Sequence, residues 1–202
     1  MKRLVLLFAC LFLFSALAFS SGGASGVFSG LVQPEWDPNF LGLPLEAVHQ
    51  PFNLAYVGGF SYEVDDEGSI LGYFGMAFMD KGFFTGGEED SHMAGGAFGL
   101  VVGQRVIGTD FLHLDLASRL GLGGCYVNEW LGAASPRDPT GYMILYAEPY
   151  AELGIGIFPW AHLAVTAGYQ IMGNWLPGLP FQHLFTLTPT IGLSVSFGSF
   201  YF

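Results

Sequence analysis

Positive charge is scarce in this chain. Six Lys and Arg stand against seventeen Asp and Glu in 202 residues. That is too few cations to neutralise a phosphate backbone, so no nucleic-acid partner is expected. Charge of either sign is sparse as well, at 11 % of residues against about 25 % in an ordinary soluble domain. Cysteine occurs only as Cys10 and Cys125. Once an amino-terminal leader is removed, Cys125 is alone and no intrachain disulfide can form. Beyond the first twenty residues no run reaches the ~20 apolar residues of a membrane-spanning helix, which points away from a helical inner-membrane protein. The common chemical signatures are missing too. There is no G-x-S-x-G, C-x-x-C, H-E-x-x-H, phosphate loop or EF-hand spacing, so no cofactor and no enzymatic activity are expected.

What is present is apolar, aromatic and glycine-rich: 51 % hydrophobic residues, 16 % aromatics and 30 glycines. Such a composition suits a wall that faces lipid and an interior where glycine makes room. Residues 1–20 have the layout of a cleavable signal peptide: Lys2 and Arg3, an apolar stretch over 4–14, and Ala16-Leu17-Ala18 as the small-x-small cleavage site, with Ser20 as an alternative. A lipid-attachment site at Cys10 fits poorly, because Phe8 is bulky and the apolar stretch runs on past it. Cleavage leaves Lys81, Arg105, Arg119 and Arg137 against all seventeen acids, a charge of −13.

The clearest strand lies at the end of the chain. Over 185–197 every second residue is apolar (Phe185, Leu187, Pro189, Ile191, Leu193, Val195, Phe197), with Thr, Ser and Gly between them. A period of two gives a strand one apolar and one polar face. The chain then ends on Phe200-Tyr201-Phe202, and the shift in apolar phase after Phe197 asks for a bulge near Gly198-Ser199. Working through the chain, strands are expected over 52–64, 69–80, 92–103, 111–124, 141–158 and 161–172. Leu54, Tyr56, Phe60, Tyr62 and Val64 alternate in the first of these. The second is apolar on both faces and cannot be oriented. Connections at 65–68, 104–110 and 159–160 are short, and those at 81–91, 127–140 and 173–182 are long. Strict alternation of short and long connections gives seven strands from residue 52 onward. An even-numbered barrel then requires an eighth upstream, for which 26–32 is the candidate, with 33–51 as the first outer loop. Pro149 and Pro189 fall inside strands, where local bulges are expected to accommodate them.

The terminal aromatic strand resembles the carboxy-terminal signal of bacterial outer-membrane β-barrels. The chain as a whole is similar to the small eight-stranded OmpA-transmembrane, OmpX and OmpW-like group. That resemblance implies an all-β, antiparallel up-and-down transmembrane β-barrel occupying residues 21–202, located in the bacterial outer membrane. It also implies outer-membrane lipids as surroundings, and the barrel-assembly machinery as a partner through the strand ending at Phe202. No periplasmic domain of the OmpA type is expected to follow. A structural or surface-interaction role with a filled lumen comes first, a narrow OmpW-like path for small apolar molecules second. A lipid-modifying enzyme at the rim, drawing on Ser91, His92 or His183, is a distant third.

Inside such a barrel, His113, Asp115 and Arg119 share the polar face of one strand, and Glu148 and Glu152 that of the next. In an antiparallel hairpin, paired residue numbers sum to a constant. A sum near 267 sets Arg119 opposite Glu148 and Asp115 opposite Glu152, a lumen ion-pair cluster. Arg119 is the only basic residue expected to point inward. The acidic run Glu88-Glu89-Asp90 reads as solvated loop charge, at most a weak site for divalent cations. Trp36, Trp130, Trp160 and Trp175 fall in loops or at strand ends, as interfacial aromatics do. If this reading is right, the mature protein fractionates with outer membranes and changes gel mobility on boiling. Deleting Phe200, Tyr201 and Phe202 impairs assembly, and recovery of the intact protein as a soluble periplasmic species would overturn it.

Overall fold

Among the described residues, the period-two pattern is realised as strands alone. The computed structural model describes residues 23–32, 54–80, 92–109, 111–128, 140–175 and 185–198. Within them the chain forms β1 (Gly23–Val32), β2 (Leu54–Val64), β3 (Ser69–Asp80), β4 (His92–Gly108), β5 (Leu112–Asn128), β6 (Thr140–Phe158), β7 (Ala161–Trp175) and β8 (Phe185–Gly198). Each strand pairs antiparallel with its chain neighbours. β1 also pairs with β8, from Ala24↔Gly198 to Val32↔Thr190, and closes the barrel. Closure removes sheet edges, which is the condition for strands to cross a bilayer. The strand inferred from parity is therefore part of the wall. At 10 residues it is longer than the sequence pattern indicated and meets the ~9 to 11 needed to span.

The wall is inside-out relative to a soluble protein. On β8, Ile191 and Leu193 are 62 % and 55 % exposed, whereas Ser194 and Ser196 are 1 % exposed. The same polarity holds on β5, β6 and β7, where Leu116, Leu120, Leu153, Ile155, Leu163 and Val165 face outward. An apolar exterior on these strands, with the buried polar groups turned to the interior, is the transmembrane form of the fold. At the end with the tight turns, Trp160 stacks between Phe158 and Phe197, with ring centres 5.3 and 6.1 Å away. That places an aromatic cluster where a headgroup boundary is expected.

The structure corrects two readings, the connection at 104–110 and the proline bulges, and it orients two strands whose direction the sequence left open. β4 continues to Gly108 through a register shift between Arg105 and Ile107, so 104–108 belongs to the wall rather than to a connection. In β2 the alternating apolar set points into the barrel: Leu54, Tyr56, Phe60 and Tyr62 are buried. β3 turns Ile70, Phe74, Met76 and Phe78 inward and leaves Leu71 and Tyr73 outside. Neither proline needs a bulge. The β6–β7 register is the same at Ala147↔Ile171 and Tyr150↔Gly168, so the gap in the ladder at 148 and 149 shifts nothing, unlike the irregularity between Gly156 and Phe158. Pro189 sits in register opposite Tyr169. Both prolines face outward, so the missing N–H costs one local pairing without displacing the strand. Residues 1–20, Trp36, Glu88, Glu89, Asp90, Ser91, Trp130, His183, Ser199 and the Phe200-Tyr201-Phe202 tail lie outside the described residues.

The turn between β2 and β3 shows how the wall positions an interior residue. Asp65 Oδ1 accepts the backbone N–H groups of Glu67 and Ser69 at 2.9 and 2.8 Å. Those bonds, that of Ser69 first, hold the Asp65 carboxyl below its usual range. Gly68 follows at φ 83°, a left-handed conformation that glycine adopts without steric cost. Its carbonyl accepts the Arg105 N–H at 2.7 Å, while Gln104 Nε2 donates to the Glu67 carbonyl at 2.6 Å. The turn thus grips β4 where that strand shifts register. A Cβ at Gly68 would lie 2.8 Å from Gln104 Nε2 and 2.9 Å from the Arg105 carbonyl oxygen. Gly68→Ala should therefore cost ~1 to 2 kcal/mol for the backbone conformation alone. The readout is urea unfolding of the refolded barrel in detergent, and an unchanged midpoint would show that the turn does not hold β4.

Candidate functional site in the barrel lumen

Eight strands enclose an interior just wide enough for side chains to fill, so inward charges must meet one another. The β5–β6 register pairs Arg119↔Glu148, Asp115↔Glu152 and His113↔Gly154, the sum of 267 expected from the sequence. His113, Asp115, Arg119, Glu148 and Glu152 are all buried, none more than 4 % exposed. The register does not decide every side-chain partner, however.

Arg119 and Glu148 do pair directly, with Nη1 donating to Oε2 at 2.7 Å. Glu148 Oε2 also accepts from the Tyr146 hydroxyl at 2.7 Å, and Oε1 from Thr190 Oγ1 at 3.0 Å. The Arg119 guanidinium carbon lies 4.0 Å from the ring centre of Phe28 and 4.3 Å from that of Tyr150. Phe28 belongs to β1 and Tyr150 to β6, so this cation from β5 reaches across the lumen and is held between two rings. Charge-assisted hydrogen bonds and cation–π contacts both strengthen when water is excluded.

Asp115, by contrast, is taken by a residue the sequence reading had placed in a connection. Arg105 binds it bidentately, Nε to Oδ1 at 2.7 Å and Nη2 to Oδ2 at 2.9 Å, with the Tyr62 hydroxyl 3.4 Å from Nη2. Arg119 is therefore not the only inward basic residue. Extending the parity of β4 (Ala97, Val101, Gly103, Arg105) reaches Arg105 directly, but the Gln104-Arg105 pair resembles turn chemistry and hid it.

Glu152 completes the cluster. Its Oε2 accepts from Ser194 Oγ at 3.0 Å, and its Oε1 lies 3.4 Å from His113 Nε2. His113 Nδ1 in turn sits 3.0 Å from His162 Nδ1, with the two rings 5.1 Å apart and tilted by 26°. His162 is a second residue the sequence reading missed. It shares the inward parity of Thr166 and Gln170, which are buried as well. Two arginines, three carboxylates and two histidines thus fill the polar half of the lumen. Phe28, Phe60, Phe74, Phe78, Tyr56 and Met76 fill the half lined by β1, β2 and β3.

The energetic test falls on Arg119. Removing one partner of a buried ion pair leaves an uncompensated charge and costs ~3 to 5 kcal/mol, against ~0 to 1 for an exposed pair. Arg119→Ala should fall in the larger range in equilibrium unfolding of the refolded barrel. A loss below about 1 kcal/mol would mean that water screens the pair.

No family model matches this sequence, and no curated protein matches it. Among solved structures, the chain is similar to the crystal structure of Ail, the attachment invasion locus protein of Yersinia pestis. The two are 13 % identical over 88 % of this chain and 100 % of that one, with a TM-score of 0.42. A second similarity, to an acetoacetate decarboxylase-like enzyme from Sphingomonas wittichii RW1, is 9 % identical over 88 % and 90 % of the two chains, with a TM-score of 0.18. Among the described residues, the chain's own strand pairing makes a closed antiparallel barrel of eight strands, and its exterior is rich in exposed apolar side chains.

Proposed function

We propose that this barrel resides in a bacterial outer membrane as a closed structural or surface-interaction module, with a lumen plugged by its own side chains. The observation that carries this reading is the Arg119 clasp. A guanidinium 1 % exposed, bound to Glu148 and sandwiched between Phe28 and Tyr150 from opposite parts of the wall, occupies the space that a pathway would need. Tyr62, Arg105 and Asp115 make a second crossing near the tight-turn end. With the interior occupied, interaction with the surroundings falls to the wall and to the loops. The wall presents leucine, isoleucine and aromatic side chains to lipid. The loops carry much of the acidic charge, and divalent cations are proposed to bridge it to anionic headgroups at Glu88, Glu89 and Asp90. β8 and the Phe202 terminus are proposed to engage the barrel-assembly machinery. No reaction is assigned to the chain.

The test is electrical. Planar bilayers containing the purified barrel should show no steady single-channel currents. Arg119→Ala should lower stability without opening a pathway of defined conductance. Steady currents from the unmutated protein would replace the plug with the narrow-channel reading.

A further inference from the structure

We propose that His113 and His162 form a binding site for a single divalent late transition metal, of the copper, nickel and zinc class, just inside the tight-turn end of the lumen. Each histidine is the second residue of its strand, so the pair lies one step in from the turns, and each is 1 % exposed. Their Nδ1 atoms share a hydrogen bond at 3.0 Å, whose proton a metal held by both nitrogens would displace. With metal–nitrogen bonds of 2.0–2.1 Å, that separation corresponds to a nitrogen–metal–nitrogen angle of roughly 95°, a cis bite suited to tetragonal coordination by imidazole.

The surroundings fit a metal on the Nδ1 side of His113. Metal-binding histidines usually give their other ring N–H to a carboxylate, which fixes the tautomer and makes the ligating nitrogen more basic. Here Glu152 Oε1 lies 3.4 Å from His113 Nε2, and Ser194 secures the other carboxylate oxygen. His113, Asp115 and Glu152 also bring donor atoms within 4.8 Å of one another on the Nε2 side. There, both Asp115 oxygens are occupied by the Arg105 guanidinium, whose charge would repel a cation. Formal charge, counted over the cluster, leaves one carboxylate in excess, although the Arg105 charge is also felt at His162. The two Arg–carboxylate pairs cancel, and Glu152 remains as an excess negative charge beside the histidines. Ser196, register partner of His162, is 1 % exposed, and its Oγ has no protein hydrogen-bond partner. It is available to a metal-bound water.

The backbone keeps the space clear. A Cβ at Gly154, directly opposite His113, would collide with the imidazole ring at its Cε1, Nε2 and Nδ1 atoms. Only glycine lets that ring lie flat against β6 and turn Nδ1 toward His162.

The experiment uses the refolded, metal-stripped barrel in detergent, with His49, His92 and His183 replaced by alanine so that only the lumen pair can respond. Titration with Cu²⁺ should give one ion per barrel, and the electron paramagnetic resonance spectrum should show coupling to two imidazole nitrogens. His113→Ala and His162→Ala should each abolish the two-nitrogen signal. Glu152→Gln should weaken binding by ~10- to 100-fold. Gly154→Ala retains both ligands and should still lose the two-nitrogen signal while the heat-dependent gel shift reports a folded barrel. Absence of bound copper, coupling to fewer than two nitrogens, or a signal that survives replacement of both His113 and His162 would overturn the proposal.

Discussion

Hydrocarbon offers no hydrogen-bond partner to a backbone N–H or carbonyl, and much of this fold follows from that constraint. A sheet can cross a bilayer only if every strand is paired on both sides. This is why β1, though only 10 residues long, is locked between β2 and β8 along its length. Closing the ring at eight strands then fixes a narrow bore. Inward side chains have nowhere to go except against one another, and any charge among them must find its counter-charge within the wall.

The lumen answers that requirement with partners from distant strands. Arg119 on β5 is tied to Glu148 on β6, and Glu148 to Thr190 on β8. Arg105 on β4 is tied to Asp115 on β5 and approaches Tyr62 on β2. Each cation thereby acquires a geometry from two or more parts of the ring. A buried pair of this kind is weak evidence for net stability, because desolvation offsets much of the attraction, but breaking it is costly. Its structural consequence is specificity of register. A slip of one residue in β5 would turn Arg119 and Asp115 toward lipid.

Much of this was legible in the sequence wherever the two faces of a strand differ in polarity. β8 alternates Ile, Leu and Val with Thr and Ser, so its direction was readable. β5 carries its charges on odd numbers and β6 on even ones, so any pairing that joins them needs an odd sum, and 267 followed. Polarity gave no direction in β2 and β3, because the lumen they line is itself apolar: Phe60, Phe74, Met76 and Phe78 point inward among aromatic neighbours. Arg105 was missed for a different reason. A register shift lies immediately after it, and two polar residues before a shift look like a turn. His162 carried a signal in its parity with Thr166 and Gln170, and only that parity could have placed it.

The apolar half of the lumen is more than filling for the charged half. Phe28 packs tilted against Tyr56 and Phe60, with ring centres 5.9 and 6.2 Å away, and the Arg119 guanidinium rests over its ring. A cation between two rings keeps favourable electrostatic contact where water cannot follow. Phe28 is held in turn by its place on a strand paired on both sides. Ring closure, the aromatic cluster and the ion pair therefore form one chain of dependence. The hydrogen bonds that close β1 onto β8 position Phe28, Phe28 and Tyr150 confine the guanidinium, and the confined guanidinium balances Glu148 at the centre of the bore.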